Sequence, residues 1–422
     1  MNFIKELKWR GMIHDIMPGT EEQFNKEMTS AYIGFDPTAD SLHIGSLVQI
    51  MILIHLQRCG HKPYILVGGA TGMVGDPSGK SKERNLLDNI TLNKNLQSIE
   101  RQLKKFLDFN CGKKSAVVVN NLDWYKNYTF LNFIRDIGKH ISVSYMMSKD
   151  SVKNRLESGL SFTEFSYQLV QGYDFFWLYK NNNCKVQLGG SDQWGNIVTG
   201  TELIRRKIGG KAFAVTSPLI KKSDGGKFGK TAEGNVWLDK RKTSPYKFYQ
   251  FWLNTSDEDA KNYIKIFSLK DENEIIELIK SHQKNPHLRI LQNEIADEVT
   301  MMVHSKNDLN MAKKASLILF GKSTADDLKE LDKETFLSVF DGVPNFEISK
   351  SDLGINFIDL LTEKTNIFSS KGDARRMIQS NAISINKIKI TSEFLFEEKY
   401  IINDNYVLVQ KGKKNYFLLT IK

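Results

Sequence analysis

Residues 31–68 read AYIGFDPTADSLHIGSLVQIMILIHLQRCGHKPYILVG, and this stretch decides the fold. Ala31 to Phe35 form a short apolar run that reads as a buried strand. Asp36-Pro37-Thr38-Ala39-Asp40-Ser41 breaks the run. Apolar residues dominate again from Ile44 to Leu56 and give way at Arg58-Cys59-Gly60. That pattern predicts a mostly buried helix with Asp40 or Ser41 as its cap and Gly60 as its stop. Residues 63–68, Pro-Tyr-Ile-Leu-Val-Gly, form the next strand. Strand, helix and strand in so short a span make a βαβ unit, which implies a parallel sheet.

The runs Ala116–Val119, Lys185–Leu188 and Ala212–Val215 fit the same sheet. An aromatic-rich helical stretch at about 128–180 interrupts it. Residues 221–234 turn polar and glycine-rich, a mobile loop by composition. Residues 245–340 read as helical, and Leu288, Leu291, Ile295, Val299 and Met302 mark a core-facing stripe. The organisation expected is a first domain over 1–220, a loop over 221–244, a helical domain over 245–340, a linker over 341–351 and a small α+β domain over 352–422. In that last part Phe357–Leu361 and Ala374–Ile378 read as short helices, the second carrying Arg375 and Arg376. Ala382–Ile390 alternates as a half-exposed strand, and Tyr406–Val409 with Tyr416–Ile421 flank a basic hairpin turn.

The chain has 422 residues, 41% hydrophobic and 26% charged, the balance of a globular protein. That composition excludes a wholly disordered chain, and 8 prolines and 29 glycines without a period exclude a collagen-like fibre. No apolar run approaches the roughly 20 residues needed to cross a bilayer, and no signal peptide is legible, so no membrane role is expected. Lys+Arg 59 against Asp+Glu 49 gives +10, which permits a polyanionic partner. Three scattered cysteines, Cys59, Cys111 and Cys184, lack metal-ligand spacing and read as reduced thiols in a cytoplasmic protein.

Five segments could carry chemistry. Asp36 to Ser46 lies at a strand end and a helix start, where ligands bind open α/β sheets and where unpaired N–H groups attract phosphate. His43 and Thr38 would add donors there, and Gly45 would let a base or ribose approach. Gly68 to Arg84 follows the second strand, but its spacing is not that of a triphosphatase phosphate loop. Gly189-Gly190-Ser191-Asp192 follows another strand, and an acid there suits ribose hydroxyls. Lys227-Phe228-Gly229-Lys230-Thr231 puts two lysines on a flexible loop that could close over a polyphosphate. Tyr167, Gln171 and Asp174 share one helix face, and an acid among aromatics needs a partner. Each segment alone also fits a capped helix, a surface turn or a solvated loop. Together they imply a nucleotide-using enzyme that touches nucleic acid.

These residues resemble the tyrosyl-tRNA synthetases of bacteria, in class I of the aminoacyl-tRNA synthetases. His43-Ile44-Gly45-Ser46 is similar to the HIGH signature, and Lys227 to Thr231 to KMSKS. GFDPTADSLHIG, FTEFSYQLVQGYDF, GGSDQWGNI and TSPYKFYQFW resemble the tyrosine branch. Ser46 replaces the final His of HIGH, while Phe228 and Gly229 replace Met and Ser of KMSKS.

The resemblance implies a Rossmann-like parallel-sheet catalytic domain with a helical insertion that forms a homodimer interface, then an α-helical domain and a small α+β RNA-binding domain. It implies tyrosine–tRNA ligase activity, with L-tyrosine, ATP and tRNA(Tyr) as partners and magnesium arriving with ATP. His43, Thr38, Lys80, Arg84, Lys227 and Lys230 would stabilise phosphates. Asp36, Gly45, Gly190 and Asp192 would join His43 and Lys230 in holding ATP. Tyr32, Asp76, Tyr167, Gln171, Asp174 and Gln193 would hold tyrosine, with Asp174 and Tyr32 on its phenol. Arg205, Arg206, Arg375, Arg376, Lys413 and Lys414 are candidate tRNA contacts. Tryptophanyl-tRNA synthetase is the nearest rival, but an indole offers one donor and no acceptor to Asp174 and Tyr32. A non-catalytic RNA-binding protein would leave His43, Lys227 and Lys230 without a purpose. A nicotinamide dehydrogenase would need a Gly-x-Gly-x-x-Gly turn that residues 31–46 lack.

Overall fold

The computed structural model describes residues 2–78, 87–126, 128–156, 159–231, 234–320, 325–341, 343–412 and 415–422. Lys80, Arg84, Lys413 and Lys414 lie outside the described residues. The chain folds as two compact units, Met1–Lys242 with Trp252–Val303, and Thr243–Phe251 with His304–Lys422.

The first unit is built on a six-stranded sheet. Its strands are β1 (Asp15–Ile16), β2 (Ser30–Phe35), β3 (Lys62–Val67), β4 (Val117–Asn120), β5 (Cys184–Gly190) and β6 (Phe213–Ser217), in the order β1-β6-β5-β2-β3-β4. All pairs are parallel except β1 with β6, so the expected parallel sheet carries one short antiparallel edge strand. From β2 the chain moves outward to β3 and β4, then returns to β5 and β6 on the other side. The strand order therefore reverses at β2, and the C-terminal ends of β5, β2 and β3 open a crevice at that switch point.

The helix Ile44–Arg58 is buried on nearly every side, including each residue from Ile50 to Gln57, because it is apolar all round. Its cap differs from the expectation. His43, not Asp40 or Ser41, occupies the cap position, and its Nδ1 accepts from the Gly45 amide at 3.0 Å. The 128–180 stretch is helical in pieces, ending in the long helix Phe162–Asn182. That helix packs on Trp194–Ile208 where two glycines meet. A Cβ on Gly172 would lie 3.4 Å from the Gly200 amide, and one on Gly200 would lie 2.9 Å from the Phe175 ring. The expected stripe holds at Leu291, Ile295 and Val299, which are buried, but Leu288 is exposed because the helix starts only at Ile290.

The second unit holds a five-stranded sheet with helices. Its strands run in the order Ile388–Lys389, Ile383–Ile385, Tyr406–Lys411, Asn415–Ile421, Asn345–Ile348. Two expectations change. Residues 341–351 are not all linker, since Asn345–Ile348 pairs in parallel with Leu418–Ile421. Ala382–Ile390 is not one strand but a tight hairpin, turned at Asn386 (φ 45°) and Lys387 (φ 68°). Alternation of apolar and polar residues continues across a two-residue turn, so the pattern alone conceals the reversal. Phe357–Asp359 runs into a π turn at Leu360–Lys364, and Lys371–Gln379 is the second helix.

Candidate active site

The crevice at the switch point is a cavity of about 560 Å³. Of the residues singled out from the sequence, Tyr32, Asp36, Thr38, His43, Gly45, Asp76, Tyr167, Gln171, Asp174, Gly190, Asp192 and Gln193 all line it. Lys227 and Lys230 do not, although Asn235 and Trp237 from the same loop do.

The cavity has a buried end and an open rim. At the buried end Tyr32, on β2, is 1% exposed, and its hydroxyl has no hydrogen-bond partner among the described residues. Beside it in the sheet register is Gln187 of β5, whose side-chain oxygen also lacks a partner. Asp174 is equally buried, and burial pushes its carboxyl up to about 7. Two donors hold it in place. Asn121 Nδ2 donates to one oxygen at 3.0 Å and Trp124 Nε1 to the other at 2.9 Å. Trp124 is itself stacked on Trp177, with centroids 4.3 Å apart. An unpartnered hydroxyl and a high-energy carboxyl in one apolar pocket favour a ligand that brings a polar atom there.

Further along, the Tyr167 hydroxyl donates to Asp36 Oδ2 at 2.8 Å, and Thr71 Oγ1 donates to Asp36 Oδ1 at 2.6 Å. Asp76 accepts from Gln193 Nε2 at 2.7 Å and from the Ser78 amide at 2.9 Å. Gln171 presents a buried side-chain oxygen with no partner among the described residues. Carboxylates and acceptors thus outnumber donors here, which suits a cationic group such as an ammonium.

The rim is different. Thr38 and His43 are exposed and Asp192 half-exposed. Because His43 Nδ1 accepts from Gly45, the neutral ring carries its proton on Nε2, which makes that atom a donor. The expected array of unpaired amides at this helix start is not found. The Ile44 amide donates to Val236 O, Gly45 to His43 Nδ1 and Ser46 to His43 O. The cradle for an anion therefore rests on side chains and on the loop above it.

Sequence reasoning missed Asn121 and Trp124, and it included Gly68 and Thr71 in the segment 68–84 without assigning either a role. A Cβ on Gly68 would lie 2.2 Å from Asp36 Oδ1 and 2.4 Å from Thr71 Oγ1, so only glycine admits that hydrogen bond. The Gly68-Gly69 pair at the end of β3 was the available signal. Nothing in the sequence pairs Asn121 with Asp174. Of the candidate tRNA contacts, Arg205 and Arg206 both pair with Glu202, Arg376 lies 3.4 Å from Asp373, and Arg375 is exposed.

Residues 25–321 match the family of class I tRNA synthetases for tryptophan and tyrosine, and residues 335–419 match the tyrosine–tRNA ligase SYY-like C-terminal domain. The tyrosine–tRNA ligase of Flavobacterium psychrophilum is 61% identical over 429 residues, covering 100% of both chains. That of Flavobacterium johnsoniae is 60% identical, over 100% of this chain and 99% of its own. A C-terminally truncated mitochondrial tyrosyl-tRNA synthetase of Aspergillus nidulans is similar in structure. Its TM-score is 0.67 at 31% identity, over 76% of this chain and 94% of that one. The chain belongs to the class I tRNA synthetases of the tryptophan and tyrosine branch. Within that branch it stands with the tyrosine–tRNA ligases, which it matches along its whole length.

Proposed function

We propose that the crevice at the ends of β5, β2 and β3 is where this chain activates L-tyrosine with ATP and then passes the tyrosyl group to tRNA(Tyr). The tyrosine carboxylate attacks the α-phosphate, a P–O bond forms, and pyrophosphate leaves. The ribose of the terminal adenosine of the tRNA then takes the tyrosyl group and AMP is released. The first step needs no protein nucleophile, so alignment and charge stabilisation carry it.

The buried end receives tyrosine. Asp174 and the Tyr32 hydroxyl meet the substrate phenol, and Asp76, Tyr167 and Gln171 meet the ammonium, with Gln193 fixing Asp76. Asp36, expected as an ATP contact, also orients Tyr167 through their 2.8 Å hydrogen bond. The rim receives ATP. Gly45 admits the adenosine, Gly190 and Asp192 take the ribose, and His43 and Thr38 donate to phosphate oxygens. Lys80, Arg84, Lys227 and Lys230 add positive charge as pyrophosphate departs. Magnesium is assigned to ATP's phosphates, its usual ligands in such reactions.

The observation that carries this reading is that the unpartnered Tyr32 hydroxyl and the Asp174 carboxyl line the same cavity, both buried. Phenylalanine would leave the Tyr32 hydroxyl unpartnered and bring Asp174 no donor beyond Asn121 and Trp124. A site built to hydrogen-bond a substrate hydroxyl rejects the analogue lacking it by about 10⁴–10⁵, and tyrosyl-tRNA synthetase is the standing example of that rule.

The other assignments are part of the same proposal. Residues 1–220 with the loop 221–244 form the catalytic part. The stretch expected as one helical domain over 245–340 is divided, Trp252–Val303 belonging to the first unit and His304 onward to the second, and Asn345–Ile348 joins 352–422 in the RNA-binding part. Phe130, Leu131, Val143 and Phe162 are large apolar side chains left 65–77% exposed on the insertion, which supports a homodimer through that face. Sedimentation as a monomer at micromolar concentration would remove that assignment. No helix among the described residues is long and apolar enough to cross a membrane. The cytoplasm is the assigned compartment, on the strength of its substrates and three free cysteines.

The test is ATP–pyrophosphate exchange with each of the twenty amino acids. Exchange dependent on tyrosine is the expected result. Exchange with tryptophan and not tyrosine overturns the proposal.

A further inference from the structure

The loop that carries the two lysines alternates in a telling way. Lys227 and Lys230 are exposed, while Phe228 is half-buried and Gly229 is buried between them. The Phe228 ring stacks on Phe267, with centroids 5.6 Å apart and planes 18° from parallel. It meets Tyr263 edge-on at 5.0 Å and lies 6.1 Å from Trp252. Trp252 and Phe267 are completely buried, so the ring enters a ready-made aromatic seat.

Gly229 makes the complementary contact. Its φ of 75° is in the left-handed region, which side chains other than glycine's rarely adopt. A Cβ there would lie 2.3 Å from Ile44 Cγ2 and 3.7 Å from the Gly45 amide. The loop backbone is therefore seated on the first turn of the helix headed by His43. Hydrogen bonds extend the contact. Val236 N–H donates to Gly229 O, Ile44 N–H donates to Val236 O and Leu238 N–H donates to Leu42 O, each at 2.9 Å. Composition suggests a free loop, yet its middle and its far end are both held.

Resting on the reading of Lys227 and Lys230 as phosphate ligands, we propose that Phe228 and Gly229 form a latch that seats the lysine loop on the His43 helix in advance of catalysis. Phe228 is then a positioning residue for both lysines. It touches no substrate, and it reduces the order the loop must gain when ATP reacts. The two residues are matched. The ring needs its aromatic seat, and the seat brings the next residue so close to Ile44 that only glycine fits. A side chain at 229 would lift the loop even with the ring in place.

The experiment compares Phe228→Ala, Phe228→Met and Lys230→Ala in the full chain. It measures the single-turnover rate of tyrosyl-adenylate formation, tyrosine affinity at equilibrium, and trypsin cleavage at the loop lysines. Because a displacement of about 1 Å can cost about 100-fold, Phe228→Ala is expected to slow adenylate formation about 10- to 100-fold while tyrosine affinity stays within about twofold. Cleavage at the loop becomes faster, and Phe228→Met, which refills the seat, recovers most of the rate. An adenylate rate in Phe228→Ala equal to the parent's overturns the latch. So does an equal loss of rate and tyrosine affinity, which would mark a purely structural residue. Slow Lys230→Ala beside normal Phe228→Ala discards the latch and keeps the lysine reading; normal Lys230→Ala discards the lysine reading itself. If Phe228→Ala does not fold, Gly229→Ala replaces it, with the same loss of rate expected and the same outcomes deciding.

Discussion

Asn121 ties Asp174 to the loop that follows β3. Its Nδ2 donates to Asp174 Oδ2 at 3.0 Å and to Thr71 Oγ1 at 3.1 Å, while its Oδ1 accepts from the Ala70 amide at 2.6 Å. One side chain thus fixes both the acid at the phenol end and the loop after β3. Removing a partner from a buried polar group costs about 1–3 kcal/mol. Asn121→Ala is expected to weaken tyrosine binding about 5- to 150-fold by that figure while the KM for ATP stays unchanged. Equilibrium dialysis with labelled tyrosine checks the first part and exchange kinetics the second.

The same carboxyl gives a pH dependence. Burial raises Asp174 to about 7, against the lowering effect of its Asn121 and Trp124 hydrogen bonds. Below pH 7 the empty enzyme therefore holds a proton there. A phenol hydroxyl donates more strongly to a carboxylate than to a neutral acid. Tyrosine affinity is expected to rise as pH increases through about 7 and then level off, and Asp174→Asn should flatten the profile. Stability runs the other way. The folded chain keeps a proton that the unfolded chain releases near its ordinary 3.8, so this group's stabilising contribution is whole below 3.8 and is lost as pH rises through about 7. Calorimetric titration of tyrosine on both sides of pH 7 measures the first effect, and thermal melts of the unliganded chain measure the second.

Much of this is legible in the amino-acid sequence, for reasons particular to each element. The βαβ unit at 31–68 could be read because a buried parallel strand and a buried helix leave long apolar runs broken at polar turns. Tyr167, Gln171 and Asp174 could be grouped because helix geometry alone puts them on one face. Asn121 could not be tied to Asp174, 53 residues away, because nothing local encodes a contact made by sheet order. Residue preference predicts Asp40 or Ser41 as the cap of the Ile44 helix. The structure gives it to His43, whose ring does the same work with Nδ1. The glycines of the lysine loop predict mobility, yet Gly229 makes a close approach to Ile44.

Gly68 offers a sharper mutation than any charged residue in the crevice. A methyl group at this position would stand 2.2 Å from Asp36 Oδ1 and 3.3 Å from the Asp36 Cα. It must push Asp36 off the Tyr167 hydroxyl or off Thr71. Gly68→Ala is expected to lower kcat/KM for tyrosine in the exchange reaction at least about 10-fold, the scale on which displaced positioning groups act. The fold should survive, since the clash is with a side chain at the crevice and not with the core. Circular dichroism and exchange kinetics on the same sample separate the two effects.

Arg10 shows how far from the crevice the site is braced. It is 2% exposed, its Nε donates to Glu6 Oε1 at 2.8 Å, and its Nη atoms donate to Lys265 O, Ser268 O and Lys270 O at 2.6–2.8 Å. Those carbonyls lie at and just beyond the end of the helix Asp257–Phe267, where a cation opposes the negative end of the helix dipole. That helix supplies Tyr263 and Phe267 to the seat of Phe228. Breaking a buried pair from one side typically costs about 3–5 kcal/mol, because the partner is left charged and alone. Arg10→Met is therefore expected to destabilise the first unit by about that amount in urea melts. Glu6→Leu combined with Arg10→Met removes the stranded carboxylate and should cost less than Arg10→Met alone. If the double variant is the less stable of the two, Glu6 is held by Trp9, whose Nε1 also donates to it at 3.0 Å, and not chiefly by Arg10.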